Sequence, residues 1–358
     1  CEAAIIAGGE LGGKLRMGES APVTDGAASE PDAVIGEEIT QWITHPAEAA
    51  LGIHLPVQVY PLLETAMAWR HGRSISDHMQ HVAALWARFS EAACANPNAN
   101  DRALHSAAEI GTQSASNRFI GYPYTKLMNS DPFVDQAAAI LMCSAGRAEA
   151  LGIPRDRWIF PWAAAEARSG FVVERRDLSA APALRRAAGA LTNVTGVAPA
   201  DMDLLDLYAC FPFAVEVQAE ALGLSLERPL TVTGGMRFAG GPWNTYTLHM
   251  LANLVQRLRG LPNGRALCSG NGGYATRFSL GMYGTVPPPQ GFHRLAELSG
   301  PIPDEAIEVE DSLGGDVRLE AFCVEHDKSG APARAIMLGR TEADRRAIAV
   351  SKEKGVME

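Results

Sequence analysis

The chain has 358 residues, of which 47% are hydrophobic and 20% charged. This composition excludes disorder over the whole chain and allows two or three domains. The formal net charge is −10 and Lys and Arg form no block, so nucleic acid is not expected as the main partner. No apolar run reaches the roughly 18–20 residues that cross a bilayer, so no membrane span is predicted.

The first predicted element is a short buried strand that ends at Gly8-Gly9. Because a chain seldom opens with a core strand, and this one has no initiating Met, we expect a fragment with an incomplete first half. Residues 19–60 are rich in proline and predict loops. Two helices follow, one over 62–70 and one that begins near Ser74, a favourable N-cap residue.

The second of these helices carries two histidines. His78 and His81 lie three residues apart beside Asp77, which is compatible with metal ligation, but no third ligand is evident. We therefore expect the histidines on a solvated helix face, and no metal site. A separate apolar stripe at helical spacing is typical of a packed core and consists of Val82, Leu85, Trp86 and Phe89.

From residue 134 onwards strands and helices alternate, which indicates an α/β domain. Three consecutive prolines at 287–289 mark a linker, and the alternating residues from about 300 onwards predict a separate antiparallel β module. Between residue 134 and the three prolines, strands are predicted at 134–143, 158–160, 204–209, 265–269 and 275–283. Helices are predicted there at 144–151, 182–195, 212–222 and 243–259.

The six cysteines are too far apart for a disulfide framework or a Cys-x-x-Cys zinc site, and they favour a reducing, cytoplasmic compartment. Cys268 closes a predicted strand before a glycine turn. A partly exposed thiol there would have a lowered pKa and act as nucleophile or base. The alternative is a small apolar residue that ends the strand.

Two further turns stand at strand ends, where open α/β sheets bind ligands. The glycine-rich turn at 233–242 precedes helix 243–259, so its backbone N–H groups are placed to bind an anion. The alternative is a tight turn between strand and helix that binds no ligand. The turn Tyr208-Ala209-Cys210-Phe211 presents a phenol and a thiol, with core packing as the alternative. There is no Gly-x-Ser-x-Gly elbow or Walker sequence, so serine-hydrolase and P-loop chemistry lack support.

In this order and spacing, the three turns resemble the C-terminal half of the thiolase superfamily, in particular lipid-transfer-protein-like acetyl-CoA acetyltransferases with an added C-terminal domain. Residues 3–10 resemble the family's Val-Ala-Gly-Gly-Met-Glu strand, and residues 134–144 its Val-Ser-Asp-Gly-Ala-Ala strand. The resemblance implies a thiolase-like αβαβα layered sandwich. It places remnants of the first half at 1–18 and 131–165, a loop domain at 19–130, the second half at 166–290 and a small β-rich domain at 291–358.

The catalytic motifs depart from the family. Its Gly-His-Pro is here Gly240-Gly241-Pro242, and its Asn-Glu-Ala-Phe or His-Asp-Cys-Phe element is here Tyr208-Ala209-Cys210-Phe211. Its Cys-x-Gly element is kept as Cys268-Ser269-Gly270, whereas its nucleophilic Cys lies upstream of residue 3. Without the imidazole that activates the nucleophile and donates to the oxyanion, ordinary thiolysis is expected to be slow or absent.

The resemblance implies a thiolase-like acyltransferase that acts on acyl-CoA, with altered C–C bond chemistry such as retro-aldol cleavage of a β-hydroxyacyl-CoA. Coenzyme A is then a substrate and no cofactor is tightly bound. The alternative is a non-catalytic acyl-CoA- or lipid-binding partner subunit. Tyr208, Gly241, His249 and Cys268 are expected to converge on one cleft. The catalytic candidates are Cys268, His249, Tyr208 and Tyr274, and the substrate-binding candidates are Gly235, Gly240, Gly241, Gly270 and Phe211.

Overall fold

A computed structural model describes residues 3–12, 43–295, 306–310 and 314–358, which form three sheets with helices packed around them. The predicted α/β class is confirmed. The strands are β1 (Ala3–Leu11), β2 (Phe119–Tyr122), β3 (Tyr124–Thr125), β4 (Asp135–Cys143), β5 (Phe160–Arg168), β6 (Leu204–Asp206), β7 (Arg265–Gly272), β8 (Arg277–Gly284), β9 (His293–Arg294), β10 (Val317–His326), β11 (Pro332–Thr341) and β12 (Arg346–Ser351). The helices are α1 (Pro46–Ala50), α2 (Pro56–Arg70), α3 (Ile75–Ala95), α4 (Ala107–Gly111), α5 (Ala145–Ala150), α6 (Pro182–Thr195), α7 (Pro212–Ala221), α8 (Gly235–Phe238), α9 (Tyr246–Leu258) and α10 (Lys354–Met357).

The main sheet has the strand order β6-β7-β8-β5-β9, and α6 and α9 pack against its strands. β6 runs parallel to β7 and β9 parallel to β5, while the other neighbours are antiparallel. The strand predicted at 158–160 is in fact β5, which runs on to Arg168. Its run of alanines has little strand propensity of its own, and pairing with β8 along its whole length decides its conformation.

α6 and α7 begin at the residues that the sequence predicts, whereas α9 begins at Tyr246, three residues later than predicted. α6 begins at Pro182 and is closed by Gly196, whose φ of 68° is the left-handed conformation that glycine adopts without strain. α7 begins at Pro212 directly after the extended residue Phe211. Pro212 therefore ends the turn that follows β6 and fixes the direction in which the chain leaves the sheet.

A second sheet consists of β1 and β4, which pair antiparallel from Ala3–Cys143 to Leu11–Asp135. Within the described ranges β1 pairs with β4 alone. The expectation that β1 is buried is wrong, because Ile5 is 73% exposed and its cross-strand neighbour Leu141 is 60% exposed. The two strands thus present an apolar face that no described residue covers.

The third sheet has the order β12-β11-β10-β2-β3 and is antiparallel, as the sequence predicts for its C-terminal strands. The expectation that these strands form a separate module is wrong. β10 pairs with β2 through Val324 and Tyr122, and Thr65 of α2 exchanges hydrogen bonds with the backbone of Phe322. Two short sequences about 200 residues apart complete one sheet, and no local pattern encodes such a pairing. In the described part of the chain, no helix has the length and apolar character needed to cross a membrane.

Candidate functional site

The turn after β6 is fixed between β7 and α7 by hydrogen bonds to its backbone. The Tyr208 N–H donates to Ser269 Oγ at 2.9 Å, and Gln218 Nε2 donates to the Tyr208 carbonyl oxygen at 2.8 Å. The Ser269 hydroxyl donates in turn to Gln218 Oε1 at 2.6 Å. Because each backbone group of Tyr208 has a partner on a different element, the turn has one well-defined conformation.

Both thiols near this turn are buried and protonated. Cys268 is 5% exposed, and burial together with the negative charge of Asp206 raises its pKa well above the usual range. Burial also raises the pKa of Cys210 to about 12. The expectation of a partly exposed Cys268 with a lowered pKa is therefore wrong, because Cys268 does not close the strand but lies inside β7, which runs on to Gly272.

The loop region contributes a side chain that the sequence did not single out. Tyr60 of α2 accepts a hydrogen bond from Asn271 Nδ2 at 3.0 Å and donates to the Gly273 carbonyl oxygen at 3.3 Å. Its ring stacks on Phe211 with a centroid distance of 4.5 Å, and its hydroxyl also interacts with the Cys210 thiol. The only sequence signal for Tyr60 was an aromatic residue in a predicted loop.

A second residue that the sequence did not single out is Tyr246, at the start of α9. It is 1% exposed and contacts Tyr208 edge-on, with ring centroids 5.5 Å apart. Burial, followed by the charge of Asp206 and the nearby Tyr208, raises its pKa, and the thiols of Cys268 and Cys210 add to this effect. Tyr246 therefore lies among the candidate residues, and only the tertiary packing of α9 reveals it.

His249 lies one helical turn after Tyr246. Burial lowers the pKa of its imidazole, so the ring is neutral near pH 7. Its Nε2 is buried and has no hydrogen-bond partner among the described residues. A neutral imidazole with an unused nitrogen is chemically suited to accept a proton.

A buried carboxylate fixes the glycine-rich turn. Asp206 is fully buried and accepts hydrogen bonds from Thr231 Oγ1 at 2.7 Å and Thr233 Oγ1 at 2.6 Å. Burial raises the pKa of Asp206 to about 7, although both hydroxyls oppose the shift. Since Asp206 is paired with Cys268 across the parallel strands, one carboxylate contacts both the glycine turn and the thiol strand.

The glycine turn packs tightly against the chain around residues 131–136. A Cβ at Gly241 would lie 3.1 Å from the Asp131 carbonyl oxygen and 3.2 Å from Met236 Cε. Gly240 has a φ of 105° and Gly235 a φ of 77°, conformations that favour glycine at both positions. A side chain at Gly241 therefore requires the Asp131 backbone or the Met236 side chain to shift.

The other candidates have contacts of their own. Tyr274 is 3% exposed and its hydroxyl donates to the His54 carbonyl oxygen at 2.6 Å, which ties the turn after β7 to the loop region. Phe211 stacks with both Tyr60 and Tyr124. Gly270 faces Ser279 and Thr247. The structure brings Tyr208, Cys268 and the start of α9 together, whereas convergence with Gly241 on one cleft stays a prediction.

His78 is fully buried, so the expectation of a solvated helix face is wrong for this residue. Its Nε2 lies 2.5 Å from Glu64 Oε1, and Glu216 completes a buried group whose polar atoms lie within 4.8 Å of one another. Burial and the charge of Glu64 raise the pKa of Glu216. Arg73 Nη1 lies 3.4 Å from His78 Nδ1 and supplies a positive charge. Glu64, His78 and Glu216 thus have the spacing of metal ligands, and the expectation that no further ligand accompanies the histidine is wrong.

None of the known protein-family models matches this chain. A monomeric SCP2-thiolase like protein type 1 from Mycobacterium smegmatis is 31% identical, with a TM-score of 0.78, and the match covers 88% of this chain and 70% of that chain. An acetyl-CoA acetyltransferase from Methanothermobacter thermautotrophicus is 23% identical over 219 residues, which are 56% of this chain and 55% of the relative. The chain thus spans about half the length of the curated relative it matches.

A solved structure named Ltp2-ChsH2(DUF35) aldolase is 20% identical, with a TM-score of 0.54, and the match covers 71% of this chain and 70% of that chain. At this identity the likeness shows the fold alone. Together with the mycobacterial protein it confirms the thiolase-like α/β fold that the sequence predicts.

Proposed function

This chain belongs to the SCP2-thiolase-like family of the thiolase superfamily, and from this premise we propose that it acts on an acyl-CoA by C–C bond cleavage without an acyl-enzyme. The observation that carries the proposal is the burial of both thiols, of which Cys268 is 5% and Cys210 7% exposed. Burial keeps the pKa of Cys268 and Cys210 high, and a glycine, Gly241, stands where the family has its activating histidine. A protonated thiol is a poor acyl carrier.

The groups that remain suit a retro-aldol reaction on a β-hydroxyacyl-CoA. A base takes the proton of the β-hydroxyl group, and the bond between the α and β carbons breaks as a carbonyl forms at the β carbon. The electron pair moves onto the thioester as an enolate, and a proton returns to the α carbon. No oxidant or additional reactant is needed. His249 is the candidate base because its ring is neutral, and Tyr208 and Cys268 are candidate proton donors.

The burial of both thiols also favours a second candidate function, a non-catalytic acyl-CoA- or lipid-binding partner subunit. A protein that only binds the acyl group needs neither a thiolate nor an activating imidazole. The fold neighbour named Ltp2-ChsH2(DUF35) aldolase is compatible with a partner subunit in this family.

The test is a comparison of three thioesters with the purified protein. Wild type is expected to convert 3-hydroxybutyryl-CoA into acetaldehyde and acetyl-CoA, and to leave acetoacetyl-CoA with free CoA nearly unchanged. His249→Gln should reduce aldehyde release by about 100-fold, in the range of general-base catalysis. Tyr122→Phe, in the loop region, serves as the matched control and should keep wild-type rates.

Binding is measured in parallel by titration calorimetry with butyryl-CoA, which carries no reactive hydroxyl. Binding without turnover of either reactive ester would make the partner-subunit function the better description. Rapid thiolysis of acetoacetyl-CoA would contradict the proposal, because it requires an activated thiolate.

A further inference from the structure

Three helices each contribute a side chain that can ligate a metal ion to one buried cluster. Glu64 lies on α2, His78 on α3 and Glu216 on α7, and one ligand atom of each lies within 4.8 Å of the others. All three side chains are at most 3% exposed. Carboxylate oxygens and imidazole nitrogens are donors that zinc and similar divalent ions bind in proteins.

The cluster has polar atoms whose hydrogen bonds the protein does not complete. Oε2 of Glu216 and Nε2 of His81, three residues after His78, are buried and have no hydrogen-bond partner among the residues that the structure describes. His81 Nε2 lies 4.0 Å from Glu216 Oε1. Because folded proteins pair about nine in ten of their buried polar groups, two such atoms at one cluster indicate a bound ligand.

The charges of the cluster favour a divalent cation as that ligand. Glu64 and Glu216 bring two carboxylates into one buried site, where like charges repel each other strongly. An ion of charge +2 balances both. The guanidinium of Arg73 belongs to an exposed residue and lies at the other ring nitrogen of His78, with Nη1 3.4 Å from Nδ1.

We propose that the cluster of Glu64, His78 and Glu216 binds a single zinc ion, a site separate from the acyl-CoA chemistry proposed above. His81 supplies the fourth ligand. Four protein ligands leave no open position on the ion, so the role of the site is structural rather than catalytic. The ion holds α2 and α3 against α7, the helix that begins directly after Phe211.

Binding of the ion requires a small movement of His78. Ligands of tetrahedral zinc lie about 3.3 Å apart, so His78 Nε2, now 2.5 Å from Glu64 Oε1, has to withdraw by about 1 Å. The ion then takes the place of their hydrogen bond. The imidazole proton resides on Nδ1, and Arg73 turns towards solvent.

Tyr124 orients one of the carboxylates from outside the site. Its hydroxyl donates to Glu64 Oε2 and accepts from the Phe213 N–H in the first turn of α7. Hydrogen bonds of this kind fix the direction of ligating groups and contribute to metal affinity.

The experiment measures zinc binding to the purified full chain after dialysis against a chelator. Wild type is expected to bind a single zinc ion in competition with a chromophoric chelator. Its Tm should be several degrees higher with zinc than with EDTA, because the ion binds only the folded site. Cobalt(II) in place of zinc should give the visible absorption of a four-coordinate site.

Glu216→Gln removes one ligand and keeps the shape of the side chain. It should weaken zinc binding by more than about 100-fold, since even outer-shell changes cost 10–100-fold. Its Tm in EDTA should equal or exceed that of wild type, because the repulsion with Glu64 is gone. The matched control is Glu220→Gln on the same helix, which removes a surface carboxylate that pairs with Arg70 and His71 and should leave zinc affinity unchanged.

Two further variants change the surroundings of the ion without removing a ligand. Tyr124→Phe should weaken zinc binding by about tenfold through the loss of the hydrogen bond to Glu64. Arg73→Gln should tighten it, because a competing positive charge is removed. Weaker zinc binding by Arg73→Gln would contradict the proposed geometry.

The inference is overturned if zinc does not raise the Tm of wild type, or if Glu216→Gln binds zinc as tightly as wild type. Loss of zinc binding in Glu220→Gln would overturn it too, since the ion would then be at the surface. Should Glu216→Gln fail to fold, the partly exposed His81 decides. His81→Gln is expected to weaken zinc binding and change the cobalt spectrum, and an unchanged spectrum with unchanged affinity would exclude the site.

Discussion

Two regions of this protein each bury a tyrosine hydroxyl, but only one of the two hydroxyls has hydrogen-bond partners among the described residues. In the loop region, Tyr124 donates to Glu64 and accepts from the Phe213 N–H. At the edge of the main sheet, Tyr246 is equally buried and its hydroxyl has no partner among the described residues. Since pairing of buried polar groups is the rule, the paired hydroxyl of Tyr124 stabilises the fold, whereas the hydroxyl of Tyr246 contributes no such bond. The comparison separates a buried hydroxyl that stabilises the fold from one that does not.

The largest expected effect is on stability and comes from removing Glu64, the hydrogen-bond partner of Tyr124. Glu64→Ala removes the partner of His78, Tyr124 and Glu216 in a fully buried cluster. We expect a loss of about 3–5 kcal/mol of unfolding free energy, as when one member of a buried ion pair is deleted. Chemical denaturation followed by circular dichroism measures it.

The control for this experiment is Glu220→Gln, which neutralises a surface carboxylate on α7. Glu220 is partly exposed and pairs with Arg70 and His71 at the surface, so its neutralisation should cost less than about 1 kcal/mol. Equal effects of the two substitutions would show that the buried cluster contributes no more than a surface pair.

The next effect concerns pH. The folded-state pKa of Asp206 is about 7, whereas an unfolded Asp titrates near 3.9, so between these values only the folded state holds the proton. Unfolding free energy therefore falls as pH rises, by about 2–3 kcal/mol from pH 5 to pH 8, and levels off above pH 7. Asp206→Asn should remove this part of the pH dependence in denaturation curves at the two pH values.

Glu48, whose pKa burial also raises to about 7, provides the comparison for this experiment. Glu48→Gln should remove a separate share of the slope, and the double variant should have the flattest profile. If Asp206→Asn keeps the full wild-type slope, Asp206 is already ionised at pH 5.

The smallest expected effect tests the filled space at the glycine turn. Gly241→His places a side chain against Met236 and the Asp131 backbone, which should cost about 1–3 kcal/mol. Met236→Ala in the same protein should recover part of this loss. Acetoacetyl-CoA cleavage with free CoA is the second measurement, and it should rise above wild type if a nucleophilic Cys is present upstream of residue 3. Undiminished stability of Gly241→His would mean that the turn holds free space.

Local patterns in the sequence were sufficient for much of the fold. Pro182, Gly196 and Pro212 determine helix ends through their own backbone preferences, so α6 and α7 were predictable. His78 was assigned to the wrong environment although it precedes Val82 by four residues and shares its apolar stripe. Its partner Glu64 lies on another helix, and only packing brings the two together.

The candidate site was less predictable, because packing between distant elements also decides which side chains meet there. Tyr208 follows β6, and Cys268 lies in a strand that the sequence predicts, so both could be named from the sequence. Tyr60 and Tyr246 act through contacts with residues on distant elements, which no spacing reveals. Whether a tyrosine hydroxyl is paired depends on the full tertiary structure.

The pairing of β10 with β2 has a consequence for the order in which this protein can fold during synthesis. Thr65 lies on α2 between Tyr60 and the C-terminal end of the helix. Its hydroxyl forms hydrogen bonds with the backbone of Phe322, 257 residues later. The face of α2 that contacts β10 therefore stays uncovered until β10 has left the ribosome. Until then, the helix that carries Tyr60 and Glu64 exposes side chains that the finished protein buries, and we expect nascent chains that end before β10 to be recognised by chaperones.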